Sequence, residues 1–476
     1  MIQVYTQHSF AADAAMALYP LVGLLFDAFL PRHRAVVATM LAGFLFLPSI
    51  QYDLVGAIHW NRTTAPFLVV LLGVLWRDLH LLAAFRLKWF DLPMLAWVLA
   101  PLPASITAGM GAYDGFSQSF YQFLQWGGPY LIGRLYFTDR SHLFDLSRML
   151  FLGGLIYLPL CLFEVRFSPM LHNLLYGFHQ HDFVQTVRGS FYRPMVFLQH
   201  GLMVAMWMGM VTLLGWSLAR ARLGFRPFGI PMMALPLLMG VSLLLMQSLG
   251  AVVLLLCAFG LVQVSRLTHG KTLLLVFALL PALWSVTRST GTMPTSAITK
   301  AASAVSSERA RSLEFRLDAE DRLVRHAWRR PVFGWSPSGF NRTGDAPGRQ
   351  GQVVADGLWI IAFSAFGMVG LMAMLLFHLT PMWIVLRAVP PSRWVTDPAA
   401  QVLGAMGVMI AAISVDNILN AMINPLFLLM MGALPTVLTR PGWDAFEEDE
   451  EAVAAETPDP ESTRFRRLLG EPEPPA

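Results

Sequence analysis

Long apolar runs constrain this chain more than any other feature of its sequence. Thirteen stretches are dominated by hydrophobic residues, and most of them approach the ~20 residues that a helix needs to cross a bilayer. They lie near 15–30, 35–50, 65–76, 92–107, 119–137, 149–165, 194–217, 229–245, 250–264, 272–287, 357–378, 399–416 and 420–437. The third run is short and the first contains Asp27, which we expect to be structural or to face a polar cavity, so twelve spans also fit the pattern.

Composition agrees with a membrane location. Only 13% of the residues are charged, whereas soluble domains carry about 25%. Both cysteines, Cys161 and Cys257, lie inside apolar runs, so we expect neither a disulfide framework nor a metal site. The sequence therefore predicts an all-α, polytopic membrane protein with about 12–13 transmembrane helices.

The loops between the runs predict an orientation. If the thirteen runs alternate in direction, the basic connections all fall on one side, at 31–34, 77–91, 138–148, 220–226, 265–271 and 386–393. The positive-inside rule makes that side cytoplasmic. The amino terminus is then outside and the carboxyl terminus inside.

This topology divides the chain into four parts. Residues 1–287 hold the first ten spans, 288–356 form a long periplasmic loop with a basic helix, 357–437 hold the last three spans, and 438–476 form a cytoplasmic tail. The tail has eleven acidic and four basic residues from Arg440 on and is rich in proline, so we expect it to be disordered.

The long outer loop is basic. It carries eleven Arg or Lys against six Asp or Glu between residues 288 and 352, and its first part favours a helix that Pro331 should stop. Arg322, Arg325 and Arg329 recur at helical spacing and predict a basic stripe, while Arg316 belongs to a mixed face. A stripe of this kind is either an anion site or a solvated face with local acid–base pairs.

A second basic cluster precedes the seventh run on the same outer side. It contains Arg188 and Arg193, with His200 farther along; a histidine in such a place is more often buried and hydrogen-bonded than catalytic. Guanidinium groups bind phosphate oxygens in a bidentate manner. We therefore expect a pyrophosphate at the lipid–water boundary, held where Arg188, Arg193, Arg325 and Arg330 converge.

The stretch "RRPVFGWSPSGFN" at 329–341 follows the basic helix. We expect Arg329 and Arg330 on the last turn of that helix, with the glycines and Pro337 turning the chain back toward the bilayer. Trp335 fits either an interfacial anchor or a surface for a sugar ring.

Several motifs together resemble the O-antigen ligase and O-antigen polymerase superfamily. They are "GPYLIGRLYF", "IYLPLCLFEVRFSP", "RGSFYRP", "QSLGAVVLLL", and "SLEFRLDAEDRLVRHAWRRPVFGW" leading to "DGLWIIAFSAFGMVGL". The resemblance implies a GT-C-like glycosyltransferase in the bacterial inner membrane. Its donor would be an undecaprenyl-diphosphate-linked glycan, bound by arginines on the outer face without a metal or cofactor. Besides the donor and membrane lipid, it implies polysaccharide-export or chain-length proteins as partners, and no nucleic acid.

The chain departs from that family in two places. Ligases carry a histidine before the span that follows the long loop, where this chain has Asp356, and many have Ser-Arg-Gly at the turn where this chain has Ser248-Leu249-Gly250. Both departures favour polymerisation of lipid-linked repeat units for O-antigen, capsule or exopolysaccharide. The alternatives are ligation to a lipid or protein acceptor, and a non-catalytic transporter or assembly component.

A carboxylate within hydrogen-bond reach of an acceptor hydroxyl can take its proton. Asp356, at the mouth of a span, is our first candidate for this base, and it is equally suited to cap the following helix. Glu164 lies two residues before Arg166 and is the second candidate, although an ion pair between the two suits it better.

Overall fold

The structure of this chain is a computed structural model. It describes residues 9–54, 57–188, 191–222, 225, 227–305, 307–343 and 352–443, and the side chains of residues 188, 305, 308 and 309 lie outside that description. The tail beyond residue 443, predicted to be disordered, also lies outside the described residues. Helices make up 74% of the structure and strands 3%, which confirms an all-α architecture.

The helices in chain order are α1 (Phe10–Phe29), α2 (Arg32–Phe46), α3 (Ala65–Arg77), α4 (Leu79–Ala84), α5 (Leu92–Leu99), α6 (Pro101–Thr107), α7 (Ala112–Gln122), α8 (Gly128–Tyr136), α9 (Arg140–Phe167), α10 (Leu171–Tyr176), α11 (Gly201–Ala221), α12 (Ala234–Leu245), α13 (Leu249–Thr268), α14 (Thr272–Ser289), α15 (Thr295–Val305), α16 (Ser307–Ala327), α17 (Leu358–Ala388), α18 (Arg393–Thr396), α19 (Pro398–Asp416) and α20 (Pro425–Leu438). Two short antiparallel hairpins pair β1 (Gln51–Asp53) with β2 (His59–Asn61) and β3 (Val187–Arg188) with β4 (Phe191–Tyr192).

Eight helical segments among the described residues are long and apolar enough to cross a membrane. They are α1, α9, α11, α13, α14, α17, α19 and the segment Trp89–Thr107, which contains α5 and α6. Helices α3, α12 and α20 are apolar but shorter. Every predicted apolar run falls on a helix, because a helix satisfies its own backbone hydrogen bonds in an environment without water.

The described ion pairs each join residues that the sequence predicts to lie on, or next to, the same side of the membrane. Segments predicted to be cytoplasmic pair with one another, through Arg34–Asp145, Arg134–Asp91, Arg140–Asp397 and Arg77–Asp27. Segments predicted to be outside do the same, through Arg288–Glu320, Arg316–Asp356 and Arg322–Asp318. The pair with Arg77 gives Asp27 the structural role expected of it.

A break in α17 positions the outer loop. Gly367, inside this helix, has φ 63° and ψ −160°, a conformation that is essentially restricted to glycine. The loop after α16 fills the break: Trp335 and Ser336 donate backbone N–H groups to the carbonyls of Ser364 and Ala365, both at 2.9 Å. On the other side of the break, the Met368 N–H donates to the loop at 2.7 Å. The loop therefore satisfies backbone groups that an interrupted spanning helix would leave unpaired in lipid.

The same loop also forms hydrogen bonds with α6 and α7. Ser336 is fully buried, and its hydroxyl lies 3.0 Å from that of Ser105 at the end of α6. Ser336 and Ser338 each donate a hydrogen bond of 3.2 Å to the carboxylate of Asp114 on α7. The loop thus links α6, α7 and α17 at the outer face.

Candidate active site at the outer end of α17

Helix α16 presents different residues to the protein and to solvent. Glu320 and Leu323 are buried, and Arg316, one turn before Glu320, is only partly exposed. Arg325 follows Arg316 by nine residues, which at ~3.6 residues per turn places it on the opposite side of the helix. Arg325 is exposed accordingly, and the same holds for Arg329.

The predicted basic stripe is therefore a solvent-facing surface. Arg322 within it pairs with the exposed Asp318 one turn away, at 2.8 Å, as the interpretation of a solvated face expects. Arg316 belongs to a different surface from Arg325 and Arg329, so the arginines of this helix do not form one group.

Arg316 and Asp356 form an ion pair at the outer end of α17. The Arg316 Nε lies 3.2 Å from a carboxylate oxygen of Asp356, and the side chains are 26% and 39% exposed. The guanidinium also donates to the Leu419 carbonyl and to the Asn420 side chain, both at 3.2 Å. Two separate segments thus fix the arginine, while the carboxylate stays accessible to solvent.

This pair lines a cleft of about 250 Å³, whose wall consists of Arg316, Ala319, Glu320, Leu323, Val354, Ala355, Asp356, Gly357, Ile360 and Leu419. Its charged groups are the Arg316 guanidinium and the carboxylates of Asp356 and Glu320. The cleft brings together the predicted base and one of the six predicted diphosphate ligands.

Asp356 does not cap α17. The residue at the N-cap position is Gly357, and no side chain accepts a hydrogen bond from the first turn of the helix. A carbon atom added to Gly357 would lie 2.3 Å from the Ile418 carbonyl, so the close approach of α17 to the end of α19 reserves this position for glycine. The capping interpretation of Asp356 is therefore wrong, and its carboxylate is engaged by Arg316 instead.

A buried network that was not predicted from the sequence lies beneath the cleft. The two carboxylate oxygens of Glu320 accept hydrogen bonds of 2.9 Å from Arg288 at the end of α14 and from the Trp359 indole in α17. Arg288 also contacts Asp321 at 2.9 Å. Burial raises the pKa of Glu320, and the hydrogen bonds from Trp359 and Arg288 oppose that rise. The one available signal was spacing, since Glu320 lies one helical turn after Arg316.

The loop that follows α16 holds Arg330 and Trp335. The helix ends at Ala327, four residues before Pro331, so Arg329 and Arg330 both lie in the turns after the helix, and the prediction that they stand on its last turn is wrong. The Arg330 guanidinium lies 4.5 Å from the centre of the Trp335 ring and donates to the Thr107 carbonyl. Trp335 also stacks on His326, with ring centres 4.4 Å apart. These contacts fix the loop in addition to any role in binding.

The second basic cluster contacts another part of the outer face. Arg193 donates to the Gln247 carbonyl at 3.0 Å, at the turn between α12 and α13. Arg188 ends β3, and its side chain lies outside the described atoms. The described contacts of Arg193, Arg316 and Arg330 thus go to three different segments, and they do not join the predicted diphosphate ligands into one set.

The side chains of His200 and Glu164 both accept hydrogen bonds from backbone N–H groups. His200 is the N-cap of α11, where its Nδ1 accepts a hydrogen bond of 3.0 Å from the Leu202 N–H. The buried Glu164 accepts three backbone hydrogen bonds of 2.6–2.9 Å, from Leu171, Met195 and Val196. The expected pair between Glu164 and Arg166 is wrong, because backbone N–H groups occupy both carboxylate oxygens and Arg166 is exposed.

Among the described residues, no group of three or more His, Cys, Asp or Glu side chains is placed to hold a metal ion. Cys161 and Cys257 are both free. Comparison of the sequence with protein-family models and with curated proteins gave no match.

Proposed function

We propose that the chain polymerises or transfers undecaprenyl-diphosphate-linked oligosaccharide repeat units on the outer face of a bacterial inner membrane, as a metal-independent glycosyltransferase of surface polysaccharide biosynthesis. The observation that carries the proposal is the accessible Arg316–Asp356 pair in a cleft at the outer end of a spanning helix. The sequence motifs that resemble O-antigen ligases and polymerases supply the substrate class.

The chemistry needs a base and a group that binds the leaving diphosphate. In the proposed reaction, an acceptor hydroxyl attacks the anomeric carbon, its proton passes to Asp356, and the bond to the diphosphate breaks. Arg316 stabilises the negative charge that develops on the departing phosphate oxygen, which is where fixed positive charge contributes most to the rate. In the free protein, Arg316 also holds the Asp356 carboxylate in place.

The remaining predicted ligands lie away from this cleft, and we assign them a different part in binding. Arg188, Arg193, Arg325, Arg329 and Arg330 lie on outer segments and would hold the glycan or its diphosphate as it approaches. Trp335, which contacts Arg330 and stacks on His326, fixes the loop that carries Arg330.

Elongation of a purified lipid-linked oligosaccharide by the purified protein in lipid nanodiscs tests the proposal. Asp356→Asn should remove most activity, since loss of a general base typically costs 10²–10⁴-fold. Asp318→Asn, at an exposed carboxylate of the same outer segment, is the matched control and should retain activity. Wild-type protein that binds the lipid-linked oligosaccharide but never elongates it would contradict the proposal, and so would full activity of the Asp356→Asn variant.

One observation favours a transporter as the second candidate. Interrupted spanning helices are common at transporter binding sites, and α17 is interrupted at Gly367. In that case, proteoliposomes would move a lipid-linked oligosaccharide between leaflets without lengthening it. A fluorescence-quenching assay of leaflet exchange, run on the same preparation as the elongation assay, distinguishes the two functions.

A further inference from the structure

The ends of α11 and α13 carry arginines without acidic partners. Arg220 and Arg266 lie in the last turns of these two helices, which pack against each other. The positive charges of Arg266 and of the exposed Arg222 both repel that of Arg220. The Nε atoms of Arg220 and Arg266 are buried and have no hydrogen-bond acceptor. These three residues form an arginine cluster, and within the described part of the chain none of them forms an ion pair.

Local charges do not balance the arginine cluster. The carboxyl end of a helix carries roughly half a negative charge, so two helix ends offset about one of the three positive charges. Residues 183–307 contain no Asp or Glu, and the connections after the two helices instead add two further Arg or Lys residues. On α9, which packs against α11, Asp145 already pairs with Arg34 and Arg148. An anion that balances the cluster must therefore come from a distant part of the chain or from another molecule.

The described residues end near this cluster. Trp443 packs on Arg393 of α18, whose guanidinium carbon lies 5.3 Å from the centre of the Trp443 ring, and α18 in turn packs against α13. Arg288 at the end of α14 binds Glu320, which contacts the start of α17. The start of α14 and the end of α13 therefore lie on the side where α17 ends and α18 begins. The contact between α18 and α13 thus involves the end of α13 that carries Arg266.

An acidic run begins immediately after Trp443. Residues 444–451, "DAFEEDEE", hold six acidic and no basic side chains. Eight extended residues span up to about 26–29 Å, whereas two helix-to-helix distances, from α18 over α13 to α11, amount to about 16–20 Å. The run is therefore long enough to reach every arginine of the cluster. Its attachment to the chain also gives it an effective concentration on the order of millimolar.

We propose that the acidic run 444–451 docks on the arginine cluster and balances the positive charge at the ends of α11 and α13. The inference does not depend on the proposed function. Anionic phospholipid is the rival occupant, but one headgroup supplies a single negative charge, whereas the tethered run supplies six. Salt weakens contacts between exposed charges, so docking should be lost at about 1 M salt, where the Debye length is about 3 Å.

Two spin labels measure docking in the full chain, reconstituted in phosphatidylcholine nanodiscs. They are attached to Thr268→Cys, exposed at the end of α13, and to Ala452→Cys, directly after the run. Cys257 is replaced by serine, and Cys161 is buried. Double electron–electron resonance should show a narrow, short distance component. That component should fall at least about fivefold in 1 M salt, and equally when amides replace the acids Glu447, Glu448, Asp449, Glu450 and Glu451.

A control with the same change in charge lies farther along the tail. The short component should be unchanged when amides replace the acids Glu456, Asp459, Glu461, Glu471 and Glu473. Both tail variants leave every described residue as it is, so neither disturbs the membrane-embedded fold. Equal distance distributions for the two variants would overturn the proposal.

Variants of the cluster test the other partner of the contact. Arg220→Gln combined with Arg266→Gln should remove the short component, and its retention would overturn the proposal. Arg86→Gln combined with Arg311→Gln removes the same charge at exposed arginines elsewhere and should retain the component. Phosphatidylglycerol nanodiscs test the rival occupant. A component that persists in them supports the docked run, and one that disappears would overturn the proposal and assign the cluster to anionic lipid.

Discussion

Replacing Gly367 by alanine should loosen the outer loop from α17. The φ of 63° and ψ of −160° at this position cost a residue with a side chain about 1–3 kcal/mol. The added methyl group would also lie 2.3 Å from the Val332 carbonyl oxygen, which is backbone and cannot rotate away. Both effects destabilise the conformation in which the loop after α16 is docked in the break of α17. Since 1.4 kcal/mol corresponds to tenfold in an equilibrium constant, the strain alone raises the undocked population by roughly 5- to 150-fold.

A cysteine at position 336 reports this population. Ser336 is fully buried in the docked loop, so a maleimide reaches Ser336→Cys only when the loop opens, and the labelling rate follows the open population when opening is fast. Cys257 is exposed and is replaced by serine in this background. We expect labelling of the Gly367→Ala variant to accelerate by at least about fivefold.

The matched control is Gly260→Ala in α13. An added carbon at Gly260 meets no atom within 4 Å, and its backbone is helical. This variant should be labelled at the wild-type rate. If Gly367→Ala and Gly260→Ala are labelled at the same rate, the break in α17 does not depend on glycine and the argument from backbone conformation fails.

Three further predictions address topology, charge and packing. Reporter fusions after Phe340 and after Arg440 should lie on opposite sides of the membrane, with the first outside; the same side for both would contradict the alternation of spans. The raised pKa of Glu320 means that the folded protein keeps its proton to a higher pH than the unfolded chain, so stability should fall as pH rises from the unfolded value, about 4.3, to the folded one. Thermal unfolding in detergent between pH 4 and 7 measures this slope, and a Glu320→Gln variant with an equally steep slope would exclude Glu320 as its source. Glu164→Gln should lower stability by about 1.5–3 kcal/mol or more, since it weakens charge-assisted hydrogen bonds to three backbone N–H groups, whereas Glu314→Gln at an exposed carboxylate should change little in the same assay.

Periodicity and hydropathy predicted the elements well because they are local properties. Every apolar run overlaps a helix, and the spacing of Arg322 and Arg325 correctly placed both on the exposed side of α16, whereas Arg329 is exposed but lies beyond the end of that helix. The same spacing places Arg316 and Arg325 on opposite sides of the helix. The sequence itself therefore argued against assigning both to one diphosphate site.

The errors concern partners that are distant in sequence. Glu164 lies near Arg166, yet it binds backbone N–H groups about thirty residues farther on, at Met195 and Val196. Asp356 precedes a helix, yet its partner is Arg316 in the preceding loop. Gly367 looks like the neighbouring Gly370 in an apolar run, and only the docked loop distinguishes the interrupted position. Local pattern carries no information about which distant group fills a site.

The separation of ion pairs onto two faces has a consequence for how this protein responds to salt. A bilayer keeps the solutions at its two faces apart, and dissolved ions weaken interactions between exposed charges, most strongly beyond the Debye length of about 8 Å at about 0.15 M salt. Under the predicted topology, salt added outside a sealed vesicle should therefore weaken the exposed pair Arg322–Asp318 and leave the predicted cytoplasmic pair Arg140–Asp397 unaffected. The predicted topology therefore divides the ion pairs into two sets that respond to different solutions. The ionic strength of the surroundings acts on the half that carries the cleft, while that of the opposite compartment acts on the other half.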